Sequence, residues 1–397
     1  MALQAGGDRT VKDLSTSSTP SLTPPLTEEE LPDWLRLLRS RRVGVTTFYR
    51  LLTEHGSARA ALAALPEVAR AAGVDDYAPC PPEVALAEIE GGRRAGARLV
   101  AIGTPGYPTL LAETPEAPPL LWVMGDTALL ARPTVALVGA RNASSLGLRM
   151  ARKLAADLSE AGVVVVSGLA RGIDTEAHRA SLARGTVAVM AGGVDAIYPP
   201  ENAVLAQEIA EKGLRLSEEP MHLTPQARHF PRRNRIIAGL VQALVVVEAA
   251  TKSGSLITAR AALDLGRDVL AVPGHPFDAR AAGCNMLIRD GAALVRGSRD
   301  VFEALALPAR PVADAERDAA AAPETPIPAA AAERRTLKET AALHGEILSR
   351  LGPSPLAEDQ LIRDLGRPAS AVTPELVTLE LEGRIERQPG GLLTRAS

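Results

Sequence analysis

Between residues 135 and 305, short apolar runs alternate with stretches in which apolar positions recur at helical spacing. The runs consist largely of Val, Ala, Leu and Ile without polar alternation, which is typical of strands buried on both faces of a parallel sheet. They predict strands near 135–138, 163–166, 186–190, 214–217, 241–247 and 268–272, with a further one at 293–295. Strands that alternate with helices in this way predict an α/β fold built on a doubly wound parallel sheet.

The chain before this region has a helical pattern. Residues 1–26 are rich in Ser, Thr, Pro and Gly, and this composition predicts a disordered tail. Thr27 and Glu30 have the spacing of a capping box, which predicts that a helix begins there. Helical spacing continues over 46–55, 58–64 and 82–91. We therefore expect a small helical domain over residues 27–100.

The sheet domain is expected to span residues 101–307, and a different pattern follows it. Residues 308–336 are dominated by Ala and Pro, which predicts a linker. Residues 337–397 return to helical spacing and end in R-I-E-R-Q-P-G-G-L-L-T-R, which favours a short hairpin after the helices. The tail therefore predicts a winged-helix-like domain.

Length and composition limit the classes of protein that fit. A chain of 397 residues exceeds the usual size of a single core, which agrees with several domains. The formal net charge of −3 means that affinity for nucleic acid must come from a local basic patch. Cys80 and Cys284 give no metal or disulfide framework, and no segment has the pattern of a signal peptide or a membrane span. We expect a cytoplasmic protein.

The end of the first predicted strand carries candidate phosphate contacts. In the turn G-A-R-N-A-S-S-L-G, Gly139 lets the chain leave the strand and Ser144 can cap the next helix. A helix N-terminus suits a phosphate group, and Arg141 adds a permanent positive charge. The turn is neither G-x-G-x-x-G nor a Walker A loop, and no acidic residue ends the second strand, so a nicotinamide cofactor is disfavoured. An ordinary cap with a solvated arginine is the alternative.

A second turn of this kind, S-G-L-A-R-G-I-D, follows the next strand. The glycines around it, including Gly168, let a ligand approach the backbone beside Ser167 while Arg171 reaches the ligand. Asp174 fits a helix N-cap better than a catalyst, and His178 fits a packed side chain better than a metal ligand. Two such turns side by side favour a polyanion over a single nucleotide.

A basic run, R-H-F-P-R-R-N-R-I-I, opens another predicted helix at 228–237. Phe230, Arg232, Asn234 and Arg235 combine positive charge with an aromatic ring, which suits a surface that neutralises a nucleic-acid backbone and stacks a base. The helix dipole disfavours cations at an N-terminus, so this crowding favours a bound anion over a solvated charge run.

The turn after the strand at 241–247 contains Lys252, Ser253, Gly254 and Ser255. It is another helix start suited to an anion, although a plain turn with a cap fits the same residues. No paired carboxylates, nucleophile elbow or metal-ligand spacing accompany these turns. We therefore expect no catalytic residue, no metal site and no cofactor.

Taken together, these motifs resemble the DNA-processing protein A family (the DprA/Smf family). The resemblance rests on G-A-R at 139–141, S-G-L-A-R-G-I-D-T-E-A-H at 167–178, F-P-R-R-N-R-I-I-A-G-L at 230–240 and K-S-G-S-L-I-T-A at 252–259. It implies an extended Rossmann-like fold that binds single-stranded DNA, protects it and loads the recombinase RecA during natural transformation. It also implies a homodimer without catalytic activity.

The resemblance also assigns roles to particular positions. The family's DNA contacts fall on Arg141, Ser167, Gly168, Arg171, Phe230, Arg232, Asn234 and the residues Lys252 to Ser255. The N-terminal helices resemble a sterile-alpha-motif or helix-hairpin-helix-like module, although the hairpin at 42–45 lacks a second glycine. The tail resembles the winged helix of some members. For dimerisation, the candidates are the apolar helix near 286–288 and the strand at Leu294.

Two other functions fit parts of the pattern. A nucleotide-phosphate hydrolase on a related Rossmann-like fold would carry P-G-G-x-G-T-x-x-E, whereas this chain has K-S-G-S-L-I-T at 252–258 without the glutamate. A pure interaction scaffold would bind other proteins through its helical ends, and its vestigial sheet edge would no longer bind a ligand. Binding of single-stranded DNA would distinguish the function implied by the DprA/Smf resemblance from both alternatives.

Overall fold

The computed structural model describes residues 29–306, 337–388 and 392–396. The predicted disordered tail, the predicted linker and the Thr27 cap lie outside these ranges. No helix within them is long and apolar enough to cross a membrane.

Nine strands of the described region form one sheet in the order β1-β2-β6-β5-β4-β3-β7-β8-β9. Their bounds are β1 (Arg98–Ala101), β2 (Leu120–Gly125), β3 (Thr134–Val138), β4 (Val164–Ser167), β5 (Thr186–Val189), β6 (Leu214–Ser217), β7 (Ala243–Val246), β8 (Asp268–Ala271) and β9 (Ala293–Leu294). Strands β3 to β9 are parallel, and all seven lie where the apolar runs predict them. Strands β1 and β2 extend the β6 edge in antiparallel pairing and were not predicted.

Helices lie on both faces of the parallel strands, which confirms the doubly wound α/β fold. The helices of the sheet domain are α5 (Thr109–Ala112), α6 (Ser145–Glu160), α7 (Ile173–Ser181), α8 (Ala203–Lys212), α9 (His229–Gly239), α10 (Gly254–Asp264), α11 (Ala282–Arg289) and α12 (Ser298–Ala304). Side chains of α6, α7 and α12 share one core with the sheet, and side chains of α9, α10 and α11 share the other. Strands β3, β4, β5 and β7 are buried along their whole length between these cores.

The N-terminal helices pack against the antiparallel edge of the sheet. They are α1 (Leu31–Arg39), α2 (Val45–His55), α3 (Ala58–Ala71) and α4 (Pro82–Arg94). Trp34 and Phe48 lie in one core with Trp122 of β2, whose indole N–H donates to Glu88 of α4 at 2.9 Å. Arg39 binds the same carboxylate through two hydrogen bonds of 2.8 and 2.9 Å. The small helical domain is therefore present, and it is anchored to β2 rather than separate from the sheet.

Residues 337–388 and 392–396 form what we name the C-terminal unit. It contains α13 (Leu337–Arg350), β10 (Leu356–Ala357), α14 (Glu358–Leu365), α15 (Ala369–Leu381), β11 (Ile385–Gln388) and β12 (Leu392–Arg395). Its strands form a separate sheet in the order β10-β12-β11, and the three helices and the hairpin enclose a small apolar core. Three helices followed by a hairpin are the arrangement of a winged helix, as the tail sequence predicts.

Candidate nucleic-acid interface

The order of strands places the predicted turns at one point of the sheet. The chain runs from β3 outward to β6 and then returns to β7 on the other side of β3. This reversal is a topological switch point, where open α/β sheets bind ligands beyond the carboxyl ends of their strands. The turns after β3 and β7 flank the switch point, and the turn after β4 lies next to them. Four segments distant in sequence, including the start of α9, therefore meet at one edge.

A cleft of about 1240 Å³ opens at this edge. Of the predicted site residues, it is lined by Gly139, Arg141, Phe230, Asn234, Lys252, Ser253, Gly254 and Ser255. A smaller recess beside it is lined by Arg141, Gly168, Arg171, Tyr198 and Phe230. Ser144, Ser167, Arg232 and Arg235 line neither cavity. The structure thus brings most of the predicted residues together and separates these four from the opening.

In the first turn, Arg141 is free to meet a ligand. Its side chain is exposed, and it forms no ion pair with any residue in the described ranges. Its guanidinium carbon lies 5.0 Å from the centre of the Phe230 ring, within the range of a cation–π contact. Gly139 is required here because a Cβ at that position would lie 2.6 Å from Cγ1 of Ile173.

The start of α6 is capped within the protein. The Ser144 hydroxyl accepts from the Gly147 N–H at 3.0 Å, which confirms the predicted cap. The carboxylate of Glu248, just after β7, accepts the Ser144 N–H at 2.9 Å and also the Ser144 hydroxyl. Burial raises the pKa of Glu248, while its hydrogen bonds to Ser144 oppose that rise. A protein carboxylate therefore occupies the place that the sequence had assigned to a phosphate.

The second turn has one buried and one exposed candidate. The Ser167 hydroxyl is fully buried and donates to the Leu137 carbonyl at 2.7 Å, so this side chain is not available to a ligand. Arg171 is exposed, and its guanidinium lies 4.0 Å from the carboxylate of Glu201, which is exposed as well. Such a loose surface pair leaves the arginine free to bind a phosphate.

The first and second turns are joined through their backbones. The Ile173 N–H donates to the Ala140 carbonyl at 3.2 Å. Gly172 has a φ of +75°, and a Cβ on it would lie 2.7 Å from the Arg141 carbonyl oxygen. Only glycine fits this left-handed, crowded position.

Asp174 holds the second turn instead of capping a helix. The residue before α7 is Gly172, and Asp174 lies within the first turn of the helix, so the predicted N-cap is wrong. Its buried carboxylate accepts the N–H groups of Gly168 at 3.1 Å and Ala170 at 3.3 Å. Burial raises the pKa of Asp174, although nearby Arg233 and these hydrogen bonds act in the opposite direction.

Arg233 is a functional residue that the sequence reasoning missed. It is buried, and its guanidinium donates to the carbonyls of Gly168 at 2.5 Å and Val189 at 2.9 Å. Burial lowers its pKa to about 10, and Asp174 partly restores it. Gly168 has no room for a Cβ because the Arg233 guanidinium lies directly beneath it. Arg233 therefore supports the second turn from inside, and its largely buried side chain forms part of the cleft lining.

The other arginines of α9 are paired with acidic side chains after β6. Arg232 lies 3.2 Å from Glu219, and Arg235 binds Glu218 and also the Glu116 carbonyl. Both glutamates are buried, and burial raises the pKa of Glu218 while Arg235 lowers it. The helix start is therefore crowded with cations because two glutamates neutralise them. The pairing corrects the inference that the crowding favours a bound anion.

Phe230 and the fourth turn complete the predicted set. The Phe230 ring is half-buried and lies 5.9 Å from the ring of Tyr198, measured between centres. Ser253 caps α10 by accepting the Ser255 N–H at 3.4 Å, so the plain cap is present. Lys252 is exposed beside it and forms no ion pair with a described residue. A cap and a cation thus lie together at this helix start.

The loop after β8 adds residues that the sequence analysis did not identify as site candidates. Phe277 is 89% exposed and lines the cleft together with Asp278 and Arg280. Its ring centre lies 5.6 Å from that of His275. The only sequence signal was an aromatic residue in a chain with 3% aromatics.

The side chains at the cleft supply positive charge and aromatic surface. No group of His, Cys, Asp or Glu side chains in the described ranges has the arrangement of a metal site. The His178 ring is fully buried and binds the Thr186 hydroxyl at 2.9 Å, as expected of a packed histidine. Burial lowers its pKa to about 3, so it is neutral at physiological pH. Arg141, Arg171 and Lys252 supply charge, and Phe230 and Phe277 supply aromatic surface.

Comparison with known proteins assigns the family. Residues 98–306, just over half of the chain, match the sequence model described as DNA recombination-mediator protein A. The chain belongs to this family, known as DprA. Residues 28–91 match the DprA-like N-terminal HHH domain, and residues 319–391 match the DprA winged helix domain. The three matches follow the order of the helical domain, the sheet domain and the C-terminal unit.

Individual DprA relatives agree with this assignment. The chain is 36% identical to Protein Smf of Escherichia coli over 296 residues, which are 74% of this chain and 76% of that protein. It is 43% identical to DNA processing protein DprA of Bacillus subtilis over 216 residues, which are 54% of this chain and 73% of that protein. The X-ray structure of DNA processing protein A from Streptococcus pneumoniae superposes with a TM-score of 0.53 at 40% identity, covering 56% of this chain and 77% of that one.

Proposed function

We propose that this protein binds single-stranded DNA in the cleft at the switch point. The observation that carries the proposal is the stacked pair of Arg141 and Phe230, where an unpaired cation and an aromatic face open into one cleft. Backbone charge neutralisation combined with base stacking is the usual means of holding a single strand. The cleft volume of about 1240 Å³ also exceeds the range of about 300–1000 Å³ typical of small-ligand pockets.

The aromatic side chains favour a single strand over a duplex. Phe230 and Phe277 need an unpaired base to stack on, whereas duplex bases are stacked on one another. The cations at the cleft contact phosphates and therefore confer no base preference. The protein is expected to bind strands of different sequence with similar affinity.

Family membership supports a wider role in recombination. We propose that the protein acts as a homodimer without catalytic activity, protects single-stranded DNA and loads RecA onto it, including during natural transformation. The family description as a DNA recombination-mediator protein supports this proposal. A dimer would place two clefts on one strand and raise the apparent affinity through effective concentration.

The first test compares binding of fluorescently labelled oligothymidine with a duplex of equal length at increasing salt. The proposal predicts tighter binding of the single strand, with log affinity falling by about 0.7 per phosphate contact for each unit of log salt concentration. Equal, weak binding of both forms would contradict it. RecA filament formation on protein-coated single strands then tests the loading role. Free base released from nucleoside monophosphates would instead identify a hydrolase.

A further inference from the structure

The C-terminal unit lies against the cleft of the sheet domain. Besides the residues of the sheet edge, the cleft is lined by Ser349, Leu351, Gly352, Pro353, Arg395 and Ala396. These residues come from the end of α13, the loop after it and the end of β12. The unit borders the cleft without filling it, because about 1240 Å³ remains open between the two walls.

One arginine of the sheet domain holds the end of α13. Arg280 donates to the carbonyls of Ser349 at 2.5 Å and Leu351 at 3.0 Å. Two further hydrogen bonds of 3.1 Å join its guanidinium to Asp278, which fixes its orientation. The carbonyls at a helix C-terminus lack partners within the helix and carry partial negative charge, so a guanidinium is a favourable partner for them. Gly352 packs on this pair, since a Cβ there would lie 2.9 Å from the Arg280 guanidinium.

A second arginine makes the reciprocal contact. Arg350 of α13 donates to the Ala143 carbonyl at 3.2 Å, two residues after Arg141 in the first turn. The C-terminal unit is therefore fixed on both sides of the cleft, to the loop after β8 and to the first turn. Arg395 also lines the cleft, where its side chain is exposed and has no ion pair in the described ranges.

We propose that the C-terminal unit forms the second wall of the DNA-binding cleft, so that a bound strand is enclosed between two domains. Arg395 contacts the phosphate backbone from this wall, and Arg280 is the positioning residue that holds the wall in place. The inference rests on the proposed function, since it names a further contact for the same strand. It gives the winged helix a role that requires no reading of duplex DNA.

The test uses full-length variants and labelled oligothymidine. Arg280→Lys keeps the positive charge but cannot bind two carbonyls and a carboxylate together, and Gly352→Leu displaces Arg280 without changing any charge. Both variants should release the strand about tenfold faster than the unaltered protein, the effect of losing a charge-assisted contact. Arg395→Ala should reduce the salt slope by about 0.7, the value for one phosphate contact on a single strand. Arg363→Ala, an exposed arginine of the same unit away from the cleft, is the matched control.

The outcomes distinguish a failure of the proposed second wall from a failure of the proposed DNA-binding cleft. Unchanged release rates and an unchanged slope for Arg395→Ala, while Arg141→Ala weakens binding, would overturn the wall and leave the proposed function intact. Faster association and tighter binding in the two displaced variants would also overturn it, because the unit would then be an obstruction. If Arg141→Ala has no effect either, the proposed function fails as well. Circular dichroism and thermal melting check that each variant is folded. If Gly352→Leu does not fold, Arg280→Lys still tests the proposal.

Discussion

The guanidinium of Arg141 lies over the face of Phe230, with 5.0 Å between the guanidinium carbon and the ring centre. The contact orients the arginine while leaving its N–H groups in the cleft. The Phe230 ring also lies 5.9 Å from the Tyr198 ring, measured between centres. Under the proposed function, Arg141 can bind a phosphate while the adjacent Phe230 contacts the neighbouring base.

Arg141→Ala should weaken binding of single-stranded DNA and reduce the salt slope by about 0.7, because one phosphate contact is lost. Arg141→Lys should keep the slope, since the charge remains, but lose the planar stacking on Phe230. Fluorescence anisotropy over a range of salt concentrations measures both. Arg149→Ala removes an exposed arginine of α6 outside the cleft and serves as the control. An unchanged slope in Arg141→Ala would place the strand elsewhere.

Phe277→Ala should weaken binding by about 1–3 kcal/mol, the usual contribution of one stacked base. The free energy of unfolding should stay the same, because the side chain is 89% exposed in the free protein. Urea unfolding and anisotropy on the same preparation separate the two effects. Leu381→Ala, which removes a side chain 85% exposed on α15, is the matched control and should change neither quantity. Equal affinity in Phe277→Ala and the unaltered protein would exclude Phe277 as a stacking surface.

Arg233→Met should lower the free energy of unfolding by about 3–5 kcal/mol, because it leaves the buried carboxylate of Asp174 without its cation. The Gly168 carbonyl also loses its partner, so the second turn loses support and DNA affinity should fall as well. Urea unfolding measures the first effect. Arg171→Ala, which breaks a loose exposed pair, should cost at most about 1 kcal/mol. If Asp174→Asn and Arg233→Met had simply additive effects, the two residues would not be coupled.

His178 should make the protein less stable as the pH falls. Burial lowers its pKa from 6.5 to about 3, so between these values the unfolded chain takes up a proton that the folded protein excludes. This contribution is complete above pH 6.5 and is lost as the pH falls below it, by at most about 1.4 kcal/mol per pH unit. The free energy of unfolding, measured with urea between about pH 7.5 and about pH 5, should therefore decline more steeply in the unaltered protein than in His178→Gln. Parallel declines in the two proteins would contradict a buried neutral ring.

The sequence was sufficient to predict the parallel sheet because strands buried on both faces leave a plain apolar run. It missed β1 and β2, which lie outside the alternation of strands and helices and follow or precede proline-rich loops. For the polar site residues, the sequence indicated the turn in which each lies but not whether its side chain faces a ligand. Whether Arg235 faces a ligand depends on Glu218, which lies 17 residues earlier in the chain and is brought to α9 by the position of β6 in the sheet. Periodicity carries no information about such pairings.

The same limit applies to the cleft itself. Arg141, Phe230 and Lys252 were identified from local chemistry, since glycine, aromatic and basic residues in turns are conspicuous. Arg233 was hidden inside a basic run, because its side chain is buried whereas that of Arg232 is exposed. The position of the C-terminal unit beside the cleft could not be inferred, because nothing in the tail sequence indicates which surface of the sheet domain this unit contacts.

The hydrogen bond from the Ile173 N–H to the Ala140 carbonyl ties the first turn to the second. This bond couples the positions of the two turns, so the protein constrains the separation between the backbones of Arg141 and Arg171. A flexible strand pays little to adopt an imposed phosphate spacing, whereas a base-paired helix has its own fixed repeat. Under the proposed function, these two arginines would present a fixed phosphate spacing, which a flexible single strand can adopt and a duplex cannot.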